Sequence, residues 1–224
     1  MREPSTIPLL TTAQLVLEHR SGALILDTRP AEQFASLHIK GAIQIGLIGP
    51  FAAWAAVLLE PAQKLILIGE RIEGVQEAHT RLTRVGLGHV IGYLLADERQ
   101  WRKDGLSLAS LSVELCANVY EILQSDPRVQ LVDVRSRAEW LKGHLPGAIS
   151  VPLLELDSRA QSIDQSRPSL VYCNEGYRAA TAASILFRER VDGIGILIDG
   201  VEGWLASGLS LEAPDPADSF LEFP

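Results

Sequence analysis

The chain repeats itself, and this constrains its fold more than any other feature. Leu24-Ile25-Leu26-Asp27-Thr28-Arg29 is answered by Gln130-Leu131-Val132-Asp133-Val134-Arg135. Phe34 then answers Trp140, His38 answers His144, and Gly41-Ala42-Ile43 answers Gly147-Ala148-Ile149, all at one offset. Farther along, Trp101 with Gly105-Leu106-Ser107-Leu108 matches Trp204 with Gly208-Leu209-Ser210-Leu211. Self-similarity at this spacing predicts two copies of one domain. Their expected extents are 1–108 and 109–224, with the junction near Leu108 to Leu111. At 224 residues the chain is long enough for each copy to bury a core of its own.

Within each copy, short apolar runs alternate with helical patterns. Strands are expected at Leu24 to Asp27, Ala42 to Ile45, Leu65 to Ile68 and Val90 to Leu94, and again at Leu131 to Val134, Ala148 to Val151, Leu170 to Tyr172 and Ile194 to Ile198. Such alternation predicts an α/β fold: a parallel sheet with helices on both faces, and ligands at the carboxyl ends of the strands. Ser136-Arg137-Ala138-Glu139 and Thr11-Thr12-Ala13-Gln14 have the form of capping boxes, and Pro30 suits a first helical position.

Cys173 stands at one such strand end. It opens the run Cys173-Asn174-Glu175-Gly176-Tyr177-Arg178, which leads into a helical pattern with Ala179, Ala182, Ala183 and Leu186 on one face. A glycine-containing loop at a helix start presents unpaired amides, which favour thiolate over thiol. Arg178 is placed to pair with a sulfur or oxygen anion held there. The competing reading is a buried, inert cysteine. Aligning the copies puts Gly69 opposite Cys173, followed by Glu70-Arg71-Ile72-Glu73-Gly74, so the first copy keeps the scaffold without the thiol. Cys116 falls in a helical pattern with Leu115, Val119 and Ile122 and reads as a packing residue.

A net charge of -8 shows no basic patch, which argues against nucleic acid or an anionic membrane surface as partner. No apolar run approaches the roughly 20 residues that span a bilayer. The start, Met1-Arg2-Glu3-Pro4, is too polar for a signal peptide, so a cytoplasmic location is expected. Two cysteines without CxxC spacing suggest neither a metal site nor a disulfide framework, and no cofactor is expected.

Taken together, these residues resemble a tandem rhodanese-homology protein. The similarity is closest in the second half: Asp133-Val134-Arg135, Glu139-Trp140, Gly143-His144-Leu145-Pro146-Gly147-Ala148, the cysteine loop, Asp199-Gly200, Gly203-Trp204 and Gly208, in the family's order. The first half resembles a non-catalytic rhodanese domain, with Leu37 and Lys40 where the second has glycine and proline. The resemblance implies a sulfurtransferase in which Cys173 takes the outer sulfur of thiosulfate or a small persulfide, is held as a persulfide, and passes the sulfur to a thiol or cyanide. It makes Cys173 and Arg178 catalytic and gives Asn174, Glu175, Gly176 and Tyr177 to substrate binding. Asp133, Arg135 and His144 are expected to be structural residues near the site, although Asp133 and Arg135 could orient a substrate and His144 invites a general-base reading. The six residues from Cys173 to Arg178 fit a sulfurtransferase loop, one shorter than that of related phosphatases and arsenate reductases. Two alternatives stand beside turnover: a persulfide carrier or sensor acting with a protein partner, and a phosphatase-like enzyme. The tandem, including Gly49-Pro50-Phe51-Ala52-Ala53-Trp54 and Arg84-Val85-Gly86-Leu87, is also similar to the pair fused behind metallo-β-lactamase-like persulfide dioxygenases. No HxHxDH run occurs here, so that likeness implies a separate dioxygenase as partner.

Overall fold

The structure, a computed structural model, describes residues 7–188 and 193–213. The chain divides into two compact units between Ser110 and Leu111.

In the first unit the element order is α1 (Thr12–Arg20), β1 (Leu24–Asp27), α2 (Ala31–Ser36), β2 (His38–Ile39), β3 (Ile43–Gln44), α3 (Phe51–Leu58), β4 (Leu65–Gly69), α4 (Ile72–Arg84), β5 (Val90–Leu95), α5 (Glu98–Lys103) and β6 (Leu108–Ala109). Four strands form a parallel sheet in the order β3-β1-β4-β5. β1 and β4 are buried along their whole length, which is why they read as unbroken apolar runs rather than alternating ones. Helix α4 lays Val75, Ala78 and Leu82 into this core at helical spacing. Thr11 caps α1 reciprocally with Gln14, as its sequence predicts. Pro30 sits at the N-cap of α2, one position before the first helical residue.

The second unit contains β7 (Ser112–Glu114), α6 (Cys116–Ser125), β8 (Gln130–Asp133), α7 (Arg137–Trp140), β9 (Ile149–Ser150), α8 (Leu156–Arg159) flanked by two single 3₁₀ turns, β10 (Ser169–Tyr172), α9 (Tyr177–Arg188), β11 (Ile194–Leu197) and α10 (Gly200–Ala206). Its parallel sheet runs β7-β11-β10-β8-β9. The edge strand β7 has no counterpart among the expected strands, because Ser112 and Val113 are exposed and no buried pattern marks them. In the first unit a single bridge from Leu9 to Tyr93 occupies the equivalent edge. The helical reading around Cys116 is corrected by one residue. Leu115 is the exposed N-cap, and Cys116 and Val119 supply the buried stripe. Tyr172, Leu145, Val201 and Trp204 complete that core beneath the cysteine loop.

Both units carry the same buried knot where their first long strand ends. Arg135 donates from Nε and Nη2 to the Asp133 carboxylate, at 3.0 and 2.6 Å, and from Nη2 to the Gly143 carbonyl at 2.8 Å. Arg29 does the same with Asp27, at 3.0 and 2.7 Å, and with the Leu37 carbonyl at 2.8 Å. Each knot ties the strand end to the turn that follows the short helix. A buried ion pair of this kind fixes geometry more than it adds stability.

Candidate active site

Cys173 follows the last residue of β10, and the chain turns through Asn174, Glu175 and Gly176 into α9. The turn requires glycine. Gly176 has φ +80°, and a Cβ there would collide with the Ile198 carbonyl oxygen after β11. The loop's other wall is the start of α10. The amides of Val201 and Glu202 donate to the carbonyls of Cys173 (2.9 Å) and Asn174 (3.2 Å), so the loop satisfies two orphan donors of that helix. Gly200, at φ +50°, permits this approach, since a side chain there would run into the same two carbonyls. The carbonyls are thus turned toward α10 while the α9 end of the loop carries a helix N-terminus, where negative charge is favoured.

Cys173 is a free thiol and only 2% exposed. Asn174 and Tyr177 are half-buried and Glu175 is exposed, so these residues form the mouth. Glu175 faces Glu202 of α10, whose carboxyl is raised above its usual range first by the Glu175 charge, with desolvation adding to it.

Arg178 is committed to a partner that sequence reading missed. Its Nη1 and Nη2 donate to the two carboxylate oxygens of Glu139, at 2.6 and 2.7 Å. Glu139 also closes the capping box with Ser136 at the start of α7. Its carboxyl is held down to about 2, first by the Arg178 hydrogen bonds and then, against burial, by Ser136. The Arg178 guanidinium is raised in turn, chiefly by Glu139 and, with burial opposing, by the nearby Cys173. The sequence marks Glu139 as a capping residue. Nothing in its spacing announces a second role 39 residues away.

The residues expected to be structural lie below and beside this loop. Asp133 and Arg135 are locked in their knot, with the guanidinium 6.0 Å from the Tyr172 ring centre. Tyr172 accepts a hydrogen bond from the Leu145 amide, and burial raises its phenol well above the usual range. His144 is buried and stacked flat on Trp140 at 3.4 Å, and its backbone exchanges hydrogen bonds with Glu212. Cys116 lies behind the loop, where its Sγ donates to the Gly200 carbonyl at 2.9 Å. Burial and the Asp199 carboxylate push that thiol far up, which leaves it protonated and unreactive. No group of residues able to hold a metal ion occurs among the described residues, and no described helix is long and apolar enough to cross a membrane.

Comparison with known proteins assigns the class. The family model described as "Rhodanese-like domain" matches residues 12–103 and again 117–207, and the chain belongs to that family. A protein named "Sulfurtransferase" from Allochromatium vinosum is 31% identical over 87 residues, covering 39% of this chain and 81% of the relative. "Putative sulfur carrier protein YrkF" from Bacillus subtilis is 27% identical over 82 residues, covering 37% of this chain and 44% of that protein. Over 93% of this chain and 44% of its own length, a thiosulfate sulfurtransferase of known structure from Pseudomonas aeruginosa is similar at 21% identity and a TM-score of 0.41.

Proposed function

We propose that the second domain transfers sulfane sulfur through a persulfide on Cys173. The observation that carries the reading is the placement of Cys173, at the head of a tight loop closed by Gly176 and Gly200 and opening onto the amino end of α9. With thiosulfate as donor, the Cys173 thiolate attacks the outer sulfur, a new S–S bond forms, the donor's S–S bond breaks, and sulfite leaves with the bonding pair. An acceptor thiolate or cyanide then attacks the outer persulfide sulfur and releases the Cys173 thiolate. Helix α9 supports the anionic states, and Arg178, anchored by Glu139, adds positive potential beside them. Asn174, Glu175 and Tyr177 meet the donor at the mouth. The near-complete enclosure of Cys173 suits a slim terminal sulfur better than a tetrahedral phosphate, which weighs against a phosphatase.

A second reading, a carrier that hands sulfur to a protein partner, draws on the same enclosure and on the name of the Bacillus relative. A dioxygenase that consumes persulfide is the partner class suggested by the tandem's resemblance. Steady-state turnover separates the readings. Catalytic turnover with thiosulfate or glutathione persulfide and a thiol or cyanide acceptor supports the enzyme. A single stoichiometric loading that only a protein discharges supports the carrier.

A further inference from the structure

The first domain keeps an open cavity where the second has its cysteine. It measures about 410 Å³ and is lined by Arg29, Gln33, Glu70, Arg71, Ala96 and Glu98. These residues follow the carboxyl ends of the adjacent strands β1, β4 and β5 or start the helices beyond them, the position at which open parallel sheets bind ligands. The helix that borders the cavity starts differently from its counterpart in the second domain. Helix α10 starts with Gly200, pressed against the loop carbonyls, whereas α5 starts with Glu98 and has its first turn capped by the Asp97 side chain. The cavity's size lies within the range of small-molecule sites.

The lining is polar and of mixed sign. Arg29 is 2% exposed and spends Nε and Nη2 on Asp27 and Leu37. Its Nη1 makes no hydrogen bond among the described residues. The Arg71 side chain, at the N-cap of the 13-residue α4, has no partner among the described residues, nor has that of Glu98. Glu70 accepts from Gln33 through Oε1, which leaves its second oxygen open. The two arginines and two glutamates cancel formally, with Asp27 behind Arg29. A simple anion would therefore meet as much repulsion as attraction, while a ligand bearing both signs would satisfy both sets of groups. The sheet order fixes a direction: Arg29 lies on the β1 flank, Glu98 on the β5 flank, and Glu70 with Arg71 between them.

We infer that the first domain binds a small zwitterion, its carboxylate held by Arg29 and Arg71 and its ammonium by Glu98 and Glu70. The site is separate from the Cys173 chemistry and stands or falls independently of it. Calorimetric titration of the full chain with glycine, γ-aminobutyrate, 6-aminohexanoate and triglycine varies the separation of the charges. At least one of these probes is expected to bind, and its analogues lacking the ammonium or the carboxylate should bind about tenfold more weakly or worse. Arg71→Ala and Glu98→Gln, both at the rim, should each weaken that probe by a similar factor, while Cys173→Ser leaves it unchanged. Absence of binding by all four probes overturns the inference. So does sulfate or acetate binding as tightly as the best zwitterion, or affinity indifferent to both rim substitutions.

Discussion

The two domains hold the same structural knot and differ just above it. Asp27–Arg29–Leu37 and Asp133–Arg135–Gly143 superpose in chemistry, hydrogen bond for hydrogen bond, and His38 stacks on Phe34 as His144 does on Trp140. At the next level the polarity reverses. Gln33 donates to Glu70 in the first domain, where Glu139 accepts from Arg178 in the second. The short helix thus braces the loop in both, through an amide and a carboxylate in one and through a full ion pair in the other. Helix α4 begins three residues after Gly69, while α9 begins four after Cys173, and only the longer loop contains a glycine at positive φ. The scaffold is therefore indifferent to the chemistry, and a few residues at two strand ends decide whether it carries a thiol site or an open cavity.

The sharpest way to break this contrast is to deny the second domain its turn. Gly176→Ala forces a side chain into φ +80° and onto the Ile198 carbonyl, with the backbone conformation alone costing about 1–2 kcal/mol. Sulfur transfer should fall by well over tenfold, measured as the second-order rate with donor, while thermal unfolding of the first domain stays put. Near-wild-type rates in this variant would mean that the loop geometry is not what distinguishes the domains.

The ion pair is expected to matter next. Arg178→Ala leaves the part-buried Glu139 carboxylate with only Ser136, at a cost of about 1–3 kcal/mol in stability of the second domain, and slows alkylation of Cys173. Arg178→Lys should recover only part, since it lacks the planar fork. Because Glu139 titrates near 2 in the folded chain and near 4.5 when free, its contribution is complete above about pH 4.5 and disappears as pH falls through about 2. Acid titration of stability in wild type and Glu139→Gln should diverge across that window, with the wild type losing the larger amount. Parallel curves would show that the pair does not stabilise the domain.

A smaller effect is expected at the mouth. Glu175→Gln removes the charge that raises Glu202; if thiosulfate enters past it as proposed, the second-order rate with thiosulfate should rise a few-fold at low ionic strength and converge with wild type at high salt. Glutathione persulfide, whose charge lies farther from its reacting sulfur, should gain less. Equal rates with both donors would show that the acidic mouth does not select among them. No gain at all is expected from Gly69→Cys in a Cys173→Ser background, because a Cβ at Gly69 crowds Val75 and the loop has no counterpart of Gly176. Measurable turnover there would show that the shorter loop still holds a persulfide.

Much of this was legible in the sequence, for physical reasons. The fully buried strands β1, β4, β8, β10 and β11 read directly as apolar runs, and the capping boxes of Thr11 and Ser136 formed as written. Cys173 was placed at its strand end because a strand, a glycine and a helical pattern follow one another without interruption. What escaped was set by distance or exposure. The exposed β7 carries no burial pattern, and the Arg178–Glu139 pair joins residues that only the fold brings together. The role of Gly200 depends on carbonyls from another segment, and the cavity in the first domain is lined by residues from three strand ends that only the fold brings together.

In the proposed reading Cys173 alone carries the transferred sulfur. Incubation of the full chain with thiosulfate or glutathione persulfide, followed by peptide mass spectrometry, tests it most directly. One added sulfur is expected on the peptide containing Cys173 and none on that containing Cys116, with loss of the added sulfur when acceptor is supplied. Sulfur on Cys116 in equal yield, or undiminished transfer by Cys173→Ser, would contradict it.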